Sequence, residues 1–266
     1  MVVRVALLLI ACLLTAACES SKESIEIRFE VRFGDTRLTC DASSAVASLS
    51  DLRFYVHDIR LLDESGNEIA LALDPDNIWQ SETVALLDFE NGEGDCVNGS
   101  PQTNTSVRGQ YAGHPADGLR MSIGVPEGLN HADPMLASAP MTYTPMHWHW
   151  KSGYKFMRAG IRLPGDDGFW MHLGSSRCEG TIGNILGCKS ANRPVVDLPG
   201  FVPGESVVII DLQRLTQGLD LNNAAVSECQ SGPAESECQM PFEALGVEFS
   251  SGVTKSSAHI FHAESR

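Results

Sequence analysis

Residues Ile25 to Phe33 alternate without a break. Ile25, Ile27, Phe29, Val31 and Phe33 fall on one side and Glu26, Arg28, Glu30 and Arg32 on the other. A helix would scatter those apolar side chains around its axis, whereas an extended chain puts them all on one face, so the segment reads as a half-buried strand. Shorter strands follow. Leu52–Leu62, the turn Asp63-Glu64-Ser65-Gly66-Asn67 and Glu68–Leu73 read as a hairpin. Val84–Phe89, Leu119–Val125, Phe169–Leu173, Val195–Leu198 and Ser206–Leu212 read as strands, and Met146–Leu163 as a strand pair. Asn91–His114 and Glu179–Asn192 read as loops, the second pinned by a disulfide, and Asp211–Leu221 as the start of a short helix. There is no repeat, heptad or linker. The expected fold is all-β, a single β-sandwich or barrel-like domain with long loops and disulfides, and its site is expected on those loops.

Residues 1–18 carry a different signal. Arg4, an apolar run from Val5 to Leu14, and Thr15-Ala16-Ala17-Cys18 make a signal peptide too short to span a bilayer. Its end resembles a bacterial lipobox, with Thr15 where Leu or Val is commoner. Cleavage there leaves Cys18 as a lipidated N-terminus, and Glu19 in place of Asp resembles outer-membrane sorting. The expected product is a periplasmic or cell-surface lipoprotein that touches membrane only through its lipid. Residues 19–24 form a polar tether and residues 25–266 the β-rich domain. Net charge is −15, or −16 once Arg4 is removed, which argues against nucleic acid and attracts cations.

In an oxidising compartment the six cysteines of the mature chain, Cys40, Cys96, Cys178, Cys188, Cys229 and Cys238, read as disulfides. Short loops favour Cys178–Cys188 and Cys229–Cys238, which leaves Cys40–Cys96. No C-x-x-C is present, against a thiolate zinc or redox site.

The chemistry concentrates in Met146-His147-Trp148-His149-Trp150, which runs on into Gly153-Tyr154-Lys155-Phe156. On a strand His147 and His149 share one face and Trp148 and Trp150 the other. Two more histidines lie nearby in sequence, His131 in Asn130-His131-Ala132-Asp133-Pro134 and His172 in Phe169-Trp170-Met171-His172-Leu173-Gly174. Imidazole nitrogen suits copper, zinc, iron and nickel. Indole has no lone pair to offer, but a ring-opened tryptophan, kynurenine, carries an aromatic amine and a ketone. H-E-x-x-H, G-x-S-x-G, G-x-G-x-x-G and the P-loop are all absent. Asp74-Pro75-Asp76-Asn77 and Asp220-Leu221-Asn222-Asn223 lack the full calcium-loop pattern and read as Asx turns.

An ordered set of segments resembles the MbnP-like family, the four-Cys members of the metallo-mystery pair systems. It comprises Phe54-Tyr55-Val56 with Asp58-Ile59-Arg60-Leu61, Trp79-Gln80, Leu86-Leu87-Asp88-Phe89-Glu90, Gly124-Val125-Pro126 with Asn130-His131, Trp148-x-Trp150-x-x-Gly153-Tyr154-Lys155-Phe156, and His172-Leu173-Gly174-Ser175-Ser176 with Cys178. The resemblance runs from about Ile25 to about Leu221. It implies an exported, β-rich protein that binds copper as Cu(I) or Cu(II), related in site chemistry to MopE and CorA. In that family, copper is held by His and by kynurenine made from Trp, and a di-haem protein similar to cytochrome c peroxidases and MauG performs the oxidation. The chain would then be the substrate of that partner and not an enzyme. His131 and His172 match family motifs and are the first ligands implied. Trp150 or Trp148 is the tryptophan to be modified, with Trp150 slightly preferred. His147, His149 and His57 are further candidates. Cys40, Cys96, Cys178 and Cys188 would be the four-Cys set, and Cys229 and Cys238 an additional pair.

Two other readings compete. A metal-free β-sandwich module for a polymer or protein partner needs exposed aromatics on one sheet face. A zinc-dependent hydrolase needs a carboxylate base beside the metal.

Overall fold

The computed structural model of the chain describes residues 21–165, 168–221 and 228–266. The signal segment and Cys18 lie outside the described residues. The first strands are β1 (Lys22–Phe33), β2 (Thr36–Arg37), β3 (Ser48–Leu62), β4 (Glu68–Leu73), β5 (Val84–Asp88), β6 (Ser106–Ala112) and β7 (Gly118–Ile123). Helix α1 (Glu127–Asn130) precedes β8 (His147–His149), β9 (Gly153–Arg162), β10 (Phe169–Gly174), β11 (Ser176–Thr181), β12 (Asn184–Ser190), β13 (Val195–Pro199) and β14 (Ser206–Asp211). The chain continues through α2 (Leu212–Leu215), β15 (Glu228–Cys229), α3 (Gln239–Ala244), β16 (Val247–Glu248), β17 (Val253–Thr254) and β18 (Phe261–Ser265).

The fold is all-β, a curled sheet whose main path runs β15-β10-β9-β3-β4-β6-β1-β14-β18. Strand β4 joins its two halves, pairing β3 through Arg60↔Ala70 and β6 through Leu71↔Tyr111. The halves pack on Phe54 of β3, whose ring meets Phe29 of β1 at 6.1 Å and Phe261 of β18 at 6.0 Å. Burying one such side chain contributes about 1.5–3 kcal/mol. Strand β3 is long enough to serve both halves. One edge pairs β9 and then β7, the other β5 and then β4.

The alternation of β1 is realised as expected, with Ile25, Ile27, Phe29 and Val31 buried and Glu26 and Arg28 exposed. The strand starts earlier than its apolar pattern. Lys22, Glu23 and Ser24 pair with Ala112, Tyr111 and Gln110, so the expected tether gives up its last three residues to the sheet. Two expected loops also contain strands. Within 91–114, β6 buries Val107, Gly109 and Tyr111 and turns Arg108 outward. Only one of those buried residues is aliphatic, so its alternation is faint in the sequence. Within 179–192, β11 and β12 form a hairpin closed by Cys178–Cys188. The other disulfides are Cys40–Cys96 and Cys229–Cys238, the pairing that loop length favours. Asp211 caps α2 by accepting from the Gln213 N–H.

Candidate metal centre

The Trp/His run folds into the short strand β8, antiparallel to β9, with His147 opposite Tyr154. The alternation expected of a strand holds for its first two residues. The His147 ring packs edge-on against Tyr154 at 5.3 Å, and Trp148 turns the other way, edge-on to His172 of β10 at 6.1 Å. Glycine makes that second contact possible. A Cβ at Gly174 would lie 3.0 Å from Trp148 Cζ3. After His149 the strand ends and the alternation is lost. The Trp150 ring lies 5.4 Å from the exposed His149, whose Nδ1 accepts from the Lys151 N–H.

His131 follows α1 and is held by its neighbours. Its Nε2 lies 3.2 Å from Asn130 Nδ2 and 3.3 Å from Cys188 Sγ, and the ring also hydrogen-bonds the Trp150 backbone. Fully buried Asn130 organises the surroundings. Its Oδ1 accepts from the Tyr154 N–H at 3.0 Å, and its Nδ2 is 3.4 Å from Ser175 Oγ. Ser175 follows Gly174, so Asn130 ties the His131 turn to the end of β10, which carries His172 and packs against Trp148 of β8. Gly153 completes the arrangement. At φ +78° it occupies backbone space that L side chains rarely adopt, and a Cβ there would run into the Asn130 carbonyl and side chain. Asn130 and Ser175 were legible only as motif letters, because a buried amide reveals its role through partners distant in sequence.

Burial keeps these imidazoles neutral. It pushes His172 down to about 4, with Arg158 and Lys155 adding to the effect and Asp51 opposing it. His131 and His147 are lowered for the same first reason. Neutral imidazole is the metal-binding form. The sulfurs near His131 belong to the Cys178–Cys188 disulfide and are not thiolates. The Asn130 amide can only donate to His131 Nε2, and the ring also hydrogen-bonds the Trp150 backbone, so metal binding by His131 requires one of these hydrogen bonds to be given up. The neutral rings and the absence of thiolate around them fit a nitrogen-ligated metal of the copper type.

His57 lies elsewhere, on β3 opposite Val84 and Ser122. It is likewise lowered to about 4, by burial and then Arg193, and lines a cavity with Asp58, Arg60, Glu82 and Glu127. None of the other candidate ligands lines that cavity. Asp76 accepts from the N–H groups of Ile78, Trp79 and Gln80, which accounts for one calcium-like segment as an Asx turn; Asn222 and Asn223 of the other lie outside the described residues. Among the described residues, the exposed large apolar side chains are Val, Ile, Leu and Met, while Trp79, Trp148, Trp150 and Trp170 are half-buried.

No helix among the described residues is long and apolar enough to cross a membrane. No curated protein matches the chain. Among solved structures, MbnP from Methylosinus trichosporium shares the fold, with a TM-score of 0.77, 23% sequence identity, and coverage of 92% of this chain and 99% of that one. The MbnP family profile matches residues 22–231. The chain belongs to the MbnP family.

Proposed function

We propose that this chain is an exported, lipid-anchored copper-binding protein, itself the substrate of an oxidising partner and not a catalyst. His131 and His172 hold the metal as neutral imidazoles. Trp148 is the tryptophan converted to kynurenine, whose amine or ketone supplies the further ligand. The contact that carries this reading is Trp148 edge-on to His172 at 6.1 Å. The Trp150 ring lies against His149 instead, and for that reason Trp148 takes precedence over Trp150. Asn130 and Ser175, which connect the His131 turn to Gly174, act as the supporting shell that orients ligands in metal sites. The family's association with copper and the acidic charge of the chain agree with this assignment.

Ring opening needs an external oxidant. Two oxygen atoms add across C2–C3 of the indole, and hydrolysis then removes C2 as formate. A di-haem protein of the cytochrome c peroxidase and MauG type is the proposed partner, and the half-buried position of Trp148 leaves its ring within reach of the surface.

Peptide mass spectrometry on protein made with and without that partner tests the reading. The expected result is a kynurenine mass on the peptide containing Trp148 only when the partner is present. Trp148→Phe should abolish the product and Trp150→Phe should retain it. Copper uptake should fall at least tenfold in His172→Gln. Unmodified tryptophan with no copper uptake would sink the proposal. Because His172 stays neutral down to about pH 4, copper should be retained through pH 5 and lost near pH 4, where protons compete for the same lone pairs. Loss already at pH 6.5 would point to a more exposed histidine.

A further inference from the structure

A second cluster of charge lies inside the fold beside this site. Arg53, Asp88 and Glu90 are fully buried and Asp51 nearly so. Strand register sets Asp88 of β5 opposite Arg53 of β3, Arg53 opposite Arg158 of β9, and Arg158 opposite His172 of β10. Directly paired residues share a sheet face, so a polar row crosses four strands and ends at the proposed metal ligand. Arg53 Nε donates to Asp88 Oδ2 at 3.1 Å, and Arg53 Nη2 donates to Glu90 Oε2 at 2.7 Å. Arg158 Nη2 forms a close ion pair with Asp51 Oδ2. The Tyr143 ring lies 5.3 Å from the Arg53 guanidinium.

Three carboxyls here face two guanidiniums. Full ionisation would leave one buried negative charge without a partner, an arrangement that proteins avoid. One proton makes the cluster neutral, and the geometry locates it. Asp51 and Glu90 each give one oxygen to an arginine, and the other two, Asp51 Oδ1 and Glu90 Oε1, have no donor. The two carboxyls are nevertheless in hydrogen-bond contact. Two carboxyls can share a hydrogen bond only if one of them carries a proton. Glu90 is accordingly raised, by burial first and by Asp51 next, against the pull of Arg53 and Arg158.

We infer that Asp51 and Glu90 share one proton, which leaves for solvent when a metal cation occupies the His172 site, with Arg158 carrying the coupling. This rests on His172 being a metal ligand. A cation beside Arg158 adds positive charge to the row, and full ionisation of the acid pair then balances it. Metal uptake becomes an exchange of one proton for one ion. The groups facing the pair are Arg53 from β3, Asp88 from β5, Arg158 from β9 and Tyr143 from the covering segment. Lys155 and His172 also face Asp51, with Arg158 acting on both.

Infrared spectroscopy of the metal-free full chain at pH 7 tests the shared proton directly. A carbonyl stretch from a buried protonated carboxyl is expected, and Glu90→Gln should remove it. Calorimetric titration with Cu(I) in two buffers of different protonation enthalpy tests the coupling. The parent should release one more proton per metal than Glu90→Gln. Its affinity should rise about tenfold per pH unit between pH 7 and 8, while that of the variant stays flat. Should Glu90→Gln not fold, Asp51→Asn removes the other half of the pair, with the same expected outcome. Equal proton counts with normal metal uptake would overturn the coupling alone. No uptake by either protein would overturn the metal reading and the coupling with it, while the infrared band would still report the shared proton.

Discussion

His57 and His172 are held neutral by burial, each lowered from 6.5 to about 4. The unfolded chain binds these protons near pH 6.5 and the folded chain does not. Stability should therefore be lost as pH falls from about 6.5 to about 4, and should change little below that on their account. Both residues are partly exposed, so solvent screening reduces each contribution to about 1–2 kcal/mol. Thermal unfolding across this range should show the loss, and His57→Gln should flatten it. An unchanged slope in that variant would mean that His57 is already solvated. At this scale the histidine and tryptophan types could be read from the sequence, but the choice between Trp148 and Trp150 could not. Both fit the same motif, and only the end of β8 at His149 separates their neighbours.

Among elements, the tight turn from β8 into β9 has a strict local requirement. Gly153 sits at φ +78° against Asn130, so Gly153→Ala meets backbone strain and a steric clash together. Equilibrium unfolding should report a loss of about 2–3 kcal/mol, and copper uptake should weaken because Asn130 positions His131. A change under about 0.5 kcal/mol would show that the turn relaxes freely. Strands with strong alternation, such as β1, were legible from residue types. Strand β6 and the β11–β12 hairpin were not, because they lack a sustained apolar alternation and their order comes from pairing with β1 and β4 and from the Cys178–Cys188 link.

For the whole molecule, distant segments are fastened together. The Cys40–Cys96 bridge closes a separation of 56 residues, for which chain entropy gives about 4 kcal/mol. Replacing both cysteines with Ala should lower stability by an amount of that order, read by urea unfolding. Arg53→Met should cost about 3–5 kcal/mol, because it strands buried carboxylates. A loss near zero would mean that water already reaches the cluster. Strand β1 pairs in parallel with β14 through Arg28↔Val207, a contact between opposite ends of the chain, and such non-local pairing slows folding.

The sequence by itself determined the strand-forming segments, the disulfide-compatible cysteines and the candidate ligand types, because side-chain periodicity and lone-pair chemistry are local properties. Only the tertiary structure decided which histidine meets which tryptophan. It also decided that Asn130 links two of the candidate ligand segments, and that a row from Asp88 through Arg53 and Arg158 ends at His172. These are facts of register and burial. They depend on which strands lie side by side, and no stretch of sequence contains its partner.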